Sequence, residues 1–447
     1  MKKVIVRILI ISFILSLLLS VLILYKQFRQ QKEIISNQVQ IAQFVCKDCN
    51  VILITMTNLR YDHMSSNGYF RPTTPNVDAF SKESLVFDNA FAHSSWTLPE
   101  GISIYTGLYP YQHGIMNRYD GSKLPTTTST LIDILNLNGY QTAAFTGGFD
   151  YNPEFGLTNR FIYHKECSKE ERGQTGQAVA VGPNHYGEFS CTIPSALTWI
   201  KTNVNNKFFL HVQGFDAHCP FSQRGGYIFD SDYIGSIDYS ECLWTFDRTK
   251  PVIKNGKIFY PVYSAKTGTS SAVLLGERDI EHLIAIYDEG IFFADQQIGL
   301  FLREVRDIGL SDKTIIIFTS EHGDMFVKKG RVMRGGPLRG TFYDDVLHIP
   351  LIIKHPKISP KNLNGLVRHI DLMPTLLDFL GLKSQYNLNG MSLTPLILQN
   401  KEVNPYIFAG SEFNPDKNNP YFFKKTRVDA VRNKQWKLIQ ETILDST

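Results

Sequence analysis

At 447 residues the chain has room for two domains or one large α/β domain. Its formal net charge of +4 lacks the strongly basic balance of a polyanion binder, so no nucleic-acid partner is expected. With 30 Phe and 21 Tyr there is ample material for a large core.

Residues 1–7 are a short flank carrying Lys2, Lys3 and Arg7. Ile8 to Tyr25 is then an unbroken run of apolar residues and serines. As a helix it would span roughly 27 Å, close to the hydrocarbon thickness of a bilayer. Leu24, Tyr25 and Lys26 are too bulky for a small-x-small cleavage site, so 8–25 reads as an uncleaved transmembrane anchor rather than a signal peptide. Lys26, Arg29 and Lys32 balance the basic residues before it, which leaves the positive-inside rule without a direction. The orientation expected is N-terminus inside with the globular part exported, a single-pass membrane-anchored protein. Residues 26–49 follow as a Gln-rich stalk or linker. The chain has six cysteines. Cys46-Lys-Asp-Cys49 has no second such pair, so a local disulfide or two thiols is expected there ahead of a zinc site. Cys167 and Cys191 can pair in an oxidising compartment.

The globular part begins at Asn50. Val51 to Thr55 is a short β-branched apolar run, the mark of a strand buried on both faces of a parallel sheet. Similar runs lie at 142–146, 208–213, 314–319 and 350–354. Between them, Leu131, Ile134 and Leu135 mark a helix over 130–138. A long amphipathic helix over 281–307 turns Leu283, Ile286, Ile291, Ala294, Ile298, Phe301 and Leu302 inward and ends before Gly309. Alternating strands and helices predict an α/β fold with a mainly parallel sheet. Residues 162–280 are less regular and are expected to form an insertion-rich rim facing substrate. Strands within 426–440 predict a small antiparallel subdomain, so the division is 50–400 for the α/β domain and 401–447 for the subdomain.

Ligands in open α/β sheets bind beyond the carboxyl ends of strands. Thr57-Asn58 and Glu321-His322 both sit just past such ends. Between them in sequence, Thr97-Leu-Pro-Glu-Gly101 places a hydroxyl and a proline where a helix would start. Oxygen and nitrogen ligands at two strand ends, with a hydroxyl nearby, point to metal-assisted attack on a phosphate or sulfate ester.

Eight segments in order carry a resemblance that covers nearly the whole chain from Asn50 to about Gln440. They are Arg71-Pro-Thr-Thr-Pro-Asn-Val-Asp78, Asn89-Ala-Phe-Ala-His-Ser-Ser-Trp-Thr-Leu-Pro99, Thr106-Gly-Leu-Tyr-Pro-Tyr-Gln-His-Gly114, Gly139-Tyr-Gln-Thr-Ala-Ala144, Asp216-Ala-His-Cys-Pro-Phe221, Tyr343-Asp-Asp-Val-Leu-His-Ile-Pro350, Asp371-Leu-Met-Pro-Thr-Leu-Leu377 and Trp436-Lys-Leu-Ile439. On these the chain resembles the sulfatases of the alkaline-phosphatase superfamily. The resemblance implies an alkaline-phosphatase-like sandwich, a mainly parallel sheet between helices, with a small C-terminal antiparallel subdomain.

The resemblance also implies a site. Relatives carry a nucleophile in a Cys/Ser-x-Pro-x-Arg pattern, which puts Thr97 in the nucleophile position and Gly101 in place of the arginine. A threonine cannot become formylglycine, which tilts the expectation from sulfate toward phosphate. The family's metal set falls on Asn58, Glu321 and His322, with Thr57 where a second acid stands in relatives. With one carboxylate, zinc or manganese is expected ahead of calcium. His218 matches a histidine that contacts the ester, and Arg339 stands where relatives often carry a lysine. The family's Lys-x-His has no counterpart around 147–150, and His113 reads as structural.

Two functions are expected from these residues. The first is a membrane-anchored, metal-dependent hydrolase or transferase acting on a sulfate or phosphate ester of a glycan, lipid head group or phosphodiester. The second is a catalytically inactive member of the fold that binds an anionic glycan or lipid head group, favoured by the losses at Thr57 and Gly101.

Overall fold

The computed structural model describes residues 13, 15–29, 43–118, 121–167, 187–219, 221, 228–239, 243–244, 252–264, 272–326, 342–413 and 425–444. Eight strands form the main sheet: β1 (Asn50–Met56), β2 (Leu85–Phe87), β3 (Gln141–Thr146), β4 (Tyr163–Glu166), β5 (Phe208–Gly214), β6 (Thr314–Thr319), β7 (Leu351–Lys354) and β8 (Lys361–Leu363). Their spatial order is β8-β2-β7-β6-β1-β5-β3-β4. The run from β6 through β1, β5 and β3 to β4 is parallel throughout. β7 runs against both its neighbours. The run at 350–354 is as apolar in sequence as the other buried strands. Its sequence could not show direction, because a strand buried on both faces is apolar whichever way it runs.

The central strands alternate between two cores. Val51, Leu53, Ile315, Ile317 and Phe209 face one, and Ile52, Ile54, Met56, Ile316, Phe318, Leu210 and Val212 face the other. The first core is closed by α2 (Thr97–Thr106), α3 (Leu131–Leu137) and α6 (Leu372–Leu380). The second is closed by α1 (Pro75–Ser81), α4 (Phe189–Asn203) and the 31-residue α5 (Glu277–Asp307). α3 starts on a reciprocal cap, with Asp133 N–H donating to Thr130 Oγ1 and Thr130 N–H donating to Asp133 Oδ2. α5 starts four residues earlier than the apolar pattern implies, because Asp279 reaches back to accept from Gly276 N–H. Asp295 on α5 accepts from the backbone N–H groups of Asn76 and Val77, which pins the start of α1 to it.

The stretch 162–280 is more than a rim, since it supplies edge strand β4, helix α4 and central strand β5. The C-terminal subdomain is a three-stranded antiparallel sheet of β9 (Ile407–Phe413), β10 (Lys425–Arg432) and β11 (Lys437–Leu444). Disulfides join Cys46 to Cys49 and Cys167 to Cys191, and Cys219 is also disulfide-bonded.

The anchor expected at 8–25 falls partly outside the described residues. Phe13 and residues 15–29 are helical, and their apolar side chains are exposed. No helix among the described residues is long and apolar enough to cross a membrane.

Candidate functional site

Strand register sets the site. Thr55 lies level with Thr319 on one side and Gln213 on the other, so the segments beyond β1, β6 and β5 leave the sheet at the same end. Asn58 takes a left-handed conformation, φ 72°, which Asn tolerates better than most residues. Tyr287 from α5 locks that turn, donating to Asn58 O at 2.7 Å and accepting from Arg60 N–H at 2.9 Å. The side chain is thereby fixed. Asn58 Nδ2 donates to Asp324 Oδ2 at 2.9 Å, while Asn58 Oδ1 is buried with no partner among the described residues.

Thr97 is the first residue of α2, buried, with Pro99 in the first turn where the missing N–H costs nothing. Its Oγ1 lies 3.0 Å from His322 Nε2. His322 Nδ1 lies 2.9 Å from the carbonyl oxygen of Gly323 and must carry the proton there. In the neutral ring Nε2 is therefore the acceptor, and the Thr97 hydroxyl donates to it.

Glu321 is wholly buried. Tyr151, from the segment after β3, donates to its Oε1 at 2.8 Å, and Oε2 has no partner among the described residues. Burial raises the Glu321 pKa, and the Tyr151 hydrogen bond draws it part of the way back. The Tyr151 hydroxyl also fills the room beside Gly101: a Cβ there would stand 2.9 Å from it. The phenol thus uses the space in which a side chain at 101 would start. Thr57 is tied to Gln213, and its hydroxyl also helps lower the pKa of Glu321. Gln213 Nε2 donates to Thr57 Oγ1 at 2.7 Å, and Gln213 Oε1 accepts from Gly147 N–H at 2.8 Å.

A second buried chain ties the helix of Thr97 to the strand that carries Glu321. Glu100 Oε2 accepts from His93 and Ser94 N–H at 2.7 and 2.8 Å, and Oε1 meets His369 Nδ1 at 2.8 Å. His369 Nε2 donates to Thr319 Oγ1, whose own hydroxyl goes to Pro350 O. Burial pushes Glu100 up to about 7 and His369 down, so the pair shares a proton.

Thr97 and His322 are brought together, and Asn58 and Glu321 lie at the ends of the two central strands beside them. His218 follows β5 at the same end, its Nδ1 donating to Cys219 O. Arg339 lies outside the described residues. His113 is structural, with Nδ1 accepting from Ile115 N–H and Nε2 donating to Ser103 Oγ. Sequence reasoning missed Tyr151, Asp324 and Glu100. Glu100 stands inside Thr97–Gly101 and Asp324 two residues beyond His322, and their acidic character was the available signal. Tyr151 had none, since it reaches Glu321 only through the fold.

A profile of the sulfatase family matches residues 49–382. The chain belongs to the sulfatase family. A second profile, of the C-terminal part of N-sulphoglucosamine sulphohydrolase, matches 339–443. The chain is similar to arylsulfatase K of Xenopus laevis, 28% identical over 76% of this chain and 66% of that one. It is similar to an arylsulfatase of Clostridium perfringens (strain 13 / Type A), 24% identical over 85% of this chain and 84% of that one. It spans between 60% and 68% of the length of several arylsulfatase K relatives. Its fold is shared with the phosphonate monoester hydrolase of Agrobacterium radiobacter, with TM-score 0.66, 21% identity and 89% of each chain covered. It is also shared with a protein solved with its substrate D-glucosamine-2-N,6-O-disulfate, with TM-score 0.61, 17% identity, and 89% and 91% of the two chains covered.

This sulfatase-family site departs from the donor set expected of a metal centre. Among the described residues no group of three His, Cys, Asp or Glu could hold a metal ion. Both Asp324 oxygens are engaged, by Asn58 Nδ2 and Met325 N–H. Asn58 Oδ1 and Glu321 Oε2 are each buried without a hydrogen-bond partner among the described residues.

Proposed function

We propose that this chain is an exported, membrane-anchored hydrolase or transferase that acts on a sulfate or phosphate ester, with Thr97 as its nucleophile. The observation that carries the reading is the 3.0 Å hydrogen bond from Thr97 Oγ1 to His322 Nε2, with the tautomer set by Gly323 O. A free hydroxyl is a poor nucleophile at neutral pH and needs a positioned base. Thr97 Oγ1 attacks the phosphorus or sulfur as its proton passes to His322 Nε2, the bond to the ester oxygen breaks, and the leaving alkoxide takes a proton from His218. Water or an acceptor alcohol then attacks the group on Thr97, its proton returning to His218, while His322 gives its proton back to Thr97 Oγ1 as that bond breaks. His218 and Arg339 are assigned to the ester oxygens and the leaving group. The first turn of α2 faces the developing negative charge with its unpaired N–H groups.

The expected metal ligands were Asn58, Glu321 and His322. With His322 Nε2 committed to Thr97, the oxygens Asn58 Oδ1 and Glu321 Oε2 are what would hold a divalent cation, and losing the nitrogen ligand removes the reason to prefer zinc over calcium. Such an ion would supply charge neutralisation and a lower hydroxyl pKa. The disulfides Cys46–Cys49 and Cys167–Cys191 support export. The apolar run at 8–25 supports an anchor. Relatives named as arylsulfatases support an anionic ester substrate, sulfated glycans included, and the unmodifiable Thr97 favours phosphate.

The second reading is a binding protein for an anionic glycan or lipid head group. It is favoured by Tyr151 over Gly101 and by the neutral hydrogen bonds of Thr57. The experiment is turnover of p-nitrophenyl sulfate, p-nitrophenyl phosphate and bis-p-nitrophenyl phosphate, with and without added zinc or manganese, by the wild type and Thr97→Ala. Turnover lost in the variant supports the enzyme. No turnover of any ester, with saturable sulfate or phosphate binding that survives Thr97→Ala, supports the binding protein.

A further inference from the structure

Val252–Lys254 and the start of Lys257–Ser264 form a hairpin joined by Asn255-Gly256. Both turn residues have positive φ, 50° and 73°, as a two-residue hairpin turn requires, so the tip has a fixed shape. The register puts Lys254 opposite Lys257 and Ile253 opposite Ile258. Strand alternation therefore gives the tip a face with two lysines and a face with two isoleucines. Every residue from Val252 to Ile258 is exposed, Ile253 at 74% and Ile258 at 53%.

Neither face suits a tip that meets only water. Like charges directly across a strand pair repel, and the paired isoleucines leave their apolar area uncovered. The sequence around the tip is basic, with Arg248, Lys250, Lys254 and Lys257 against Asp247. An anionic bilayer surface relieves both faults at once. Its phosphates neutralise the lysines, whose long stems reach head groups while the isoleucines enter the acyl boundary. A sulfated glycan would satisfy the lysines and leave the isoleucines bare. The same chain carries an apolar run at 8–25 with basic residues on both sides, which would keep the domain near a bilayer.

We propose that the 252–258 hairpin tip is a membrane-contact element that docks on anionic phospholipid head groups and sets how the globular domain sits on the bilayer. The test is amide hydrogen exchange of the full chain with vesicles of phosphatidylcholine alone or phosphatidylcholine with phosphatidylglycerol. Vesicle flotation of the same samples scores insertion of 8–25 separately. Exchange over 252–264 should slow on the order of tenfold with the anionic vesicles. The slowing should be lost in Lys254→Ser/Lys257→Ser and in Ile253→Ser/Ile258→Ser, all exposed positions. Equal exchange in both vesicle types overturns the proposal, whether or not the chain floats. So does slowing that survives both double variants. Slowing by heparin that needs the lysines but not the isoleucines, with none by anionic vesicles, overturns it in favour of a sulfated glycan.

Discussion

Gly101→Ala should destabilise this protein, although alanine is the better helix former, and Tyr151→Phe should reverse the sign. The added Cβ would stand 2.9 Å from the Tyr151 hydroxyl, 3.3 Å from Cζ and 3.4 Å from Cε1. The phenol is buried and donates to Glu321 Oε1, so it cannot swing into solvent to make room. Moving it breaks a hydrogen bond to a carboxylate, about 1.5–3 kcal/mol. Alanine in place of a mid-helix glycine returns about 0.5–1 kcal/mol. The net cost is then about 1–2 kcal/mol by these two terms. In Tyr151→Phe the hydroxyl is gone and the nearest remaining atoms, at 3.3 and 3.4 Å, need yield only slightly. There Gly101→Ala should be neutral or stabilising by about 0.5 kcal/mol, so the two substitutions couple by roughly 2 kcal/mol. Urea unfolding followed by tryptophan fluorescence, on the four proteins of this cycle, measures it. The reasoning fails if Gly101→Ala costs the same in both backgrounds.

His322→Gln should lower kcat by about 10²- to 10⁴-fold, the range for a lost general base. An unchanged kcat in that variant removes the base from the mechanism. His113 and His211 are both held down to about 3, chiefly by burial, so the unfolded chain binds their protons first. Their contribution is fully present above the unfolded pKa of about 6.5 and is lost as pH falls toward 3, about 2 kcal/mol each by pH 5. Urea midpoints at pH 7 and pH 5 should therefore diverge less in His113→Gln than in wild type, and equal divergence would clear His113 of the effect. Replacing Cys167 and Cys191 with serine opens a bridge of sequence separation 24 and should cost about 3 kcal/mol, read from the same urea curves.

The parts of the fold that were legible in the sequence are those whose burial writes itself as pattern. β1, β5 and β6 are apolar on both faces, and α5 shows a clean stripe. The illegible parts each have a physical cause. β4, Tyr-His-Lys-Glu, lies at the sheet edge and is largely half-exposed, so its polar residues read as loop. α4 carries Pro194 inside it, which breaks the helical signal although the fold tolerates it. The direction of β7 is a matter of topology, which composition does not record. In the site, Thr97, Asn58, Glu321 and His322 were legible because they stand at strand and helix ends. The hydrogen bond that commits His322 to Thr97 was not, because it depends on which ring nitrogen Gly323 O captures.

The departures from the family pattern are connected through contacts. The missing side chain at 101 leaves room for Tyr151, and Tyr151 satisfies one oxygen of Glu321. Thr57 is held by Gln213, which is held in turn by Gly147, at the start of the segment that delivers Tyr151. A random loss of acids and of the motif arginine would leave cavities or orphaned groups around them. Here Thr57 and Tyr151 are hydrogen-bonded, while Asn58 Oδ1, Glu321 Oε2 and the Tyr105 hydroxyl are buried without a hydrogen-bond partner among the described residues. A buried carboxylate oxygen without a donor costs on the order of 1–3 kcal/mol or more. Tyr151 donates to one Glu321 oxygen, and the Thr55 and Thr57 hydroxyls also act to lower the pKa of this carboxyl against its burial. The residues that lead into Asn58 thus already offset part of the cost of burying Glu321 with neutral hydroxyls, so the neutral substitution at Thr57 works on the carboxyl it neighbours and is not an isolated loss.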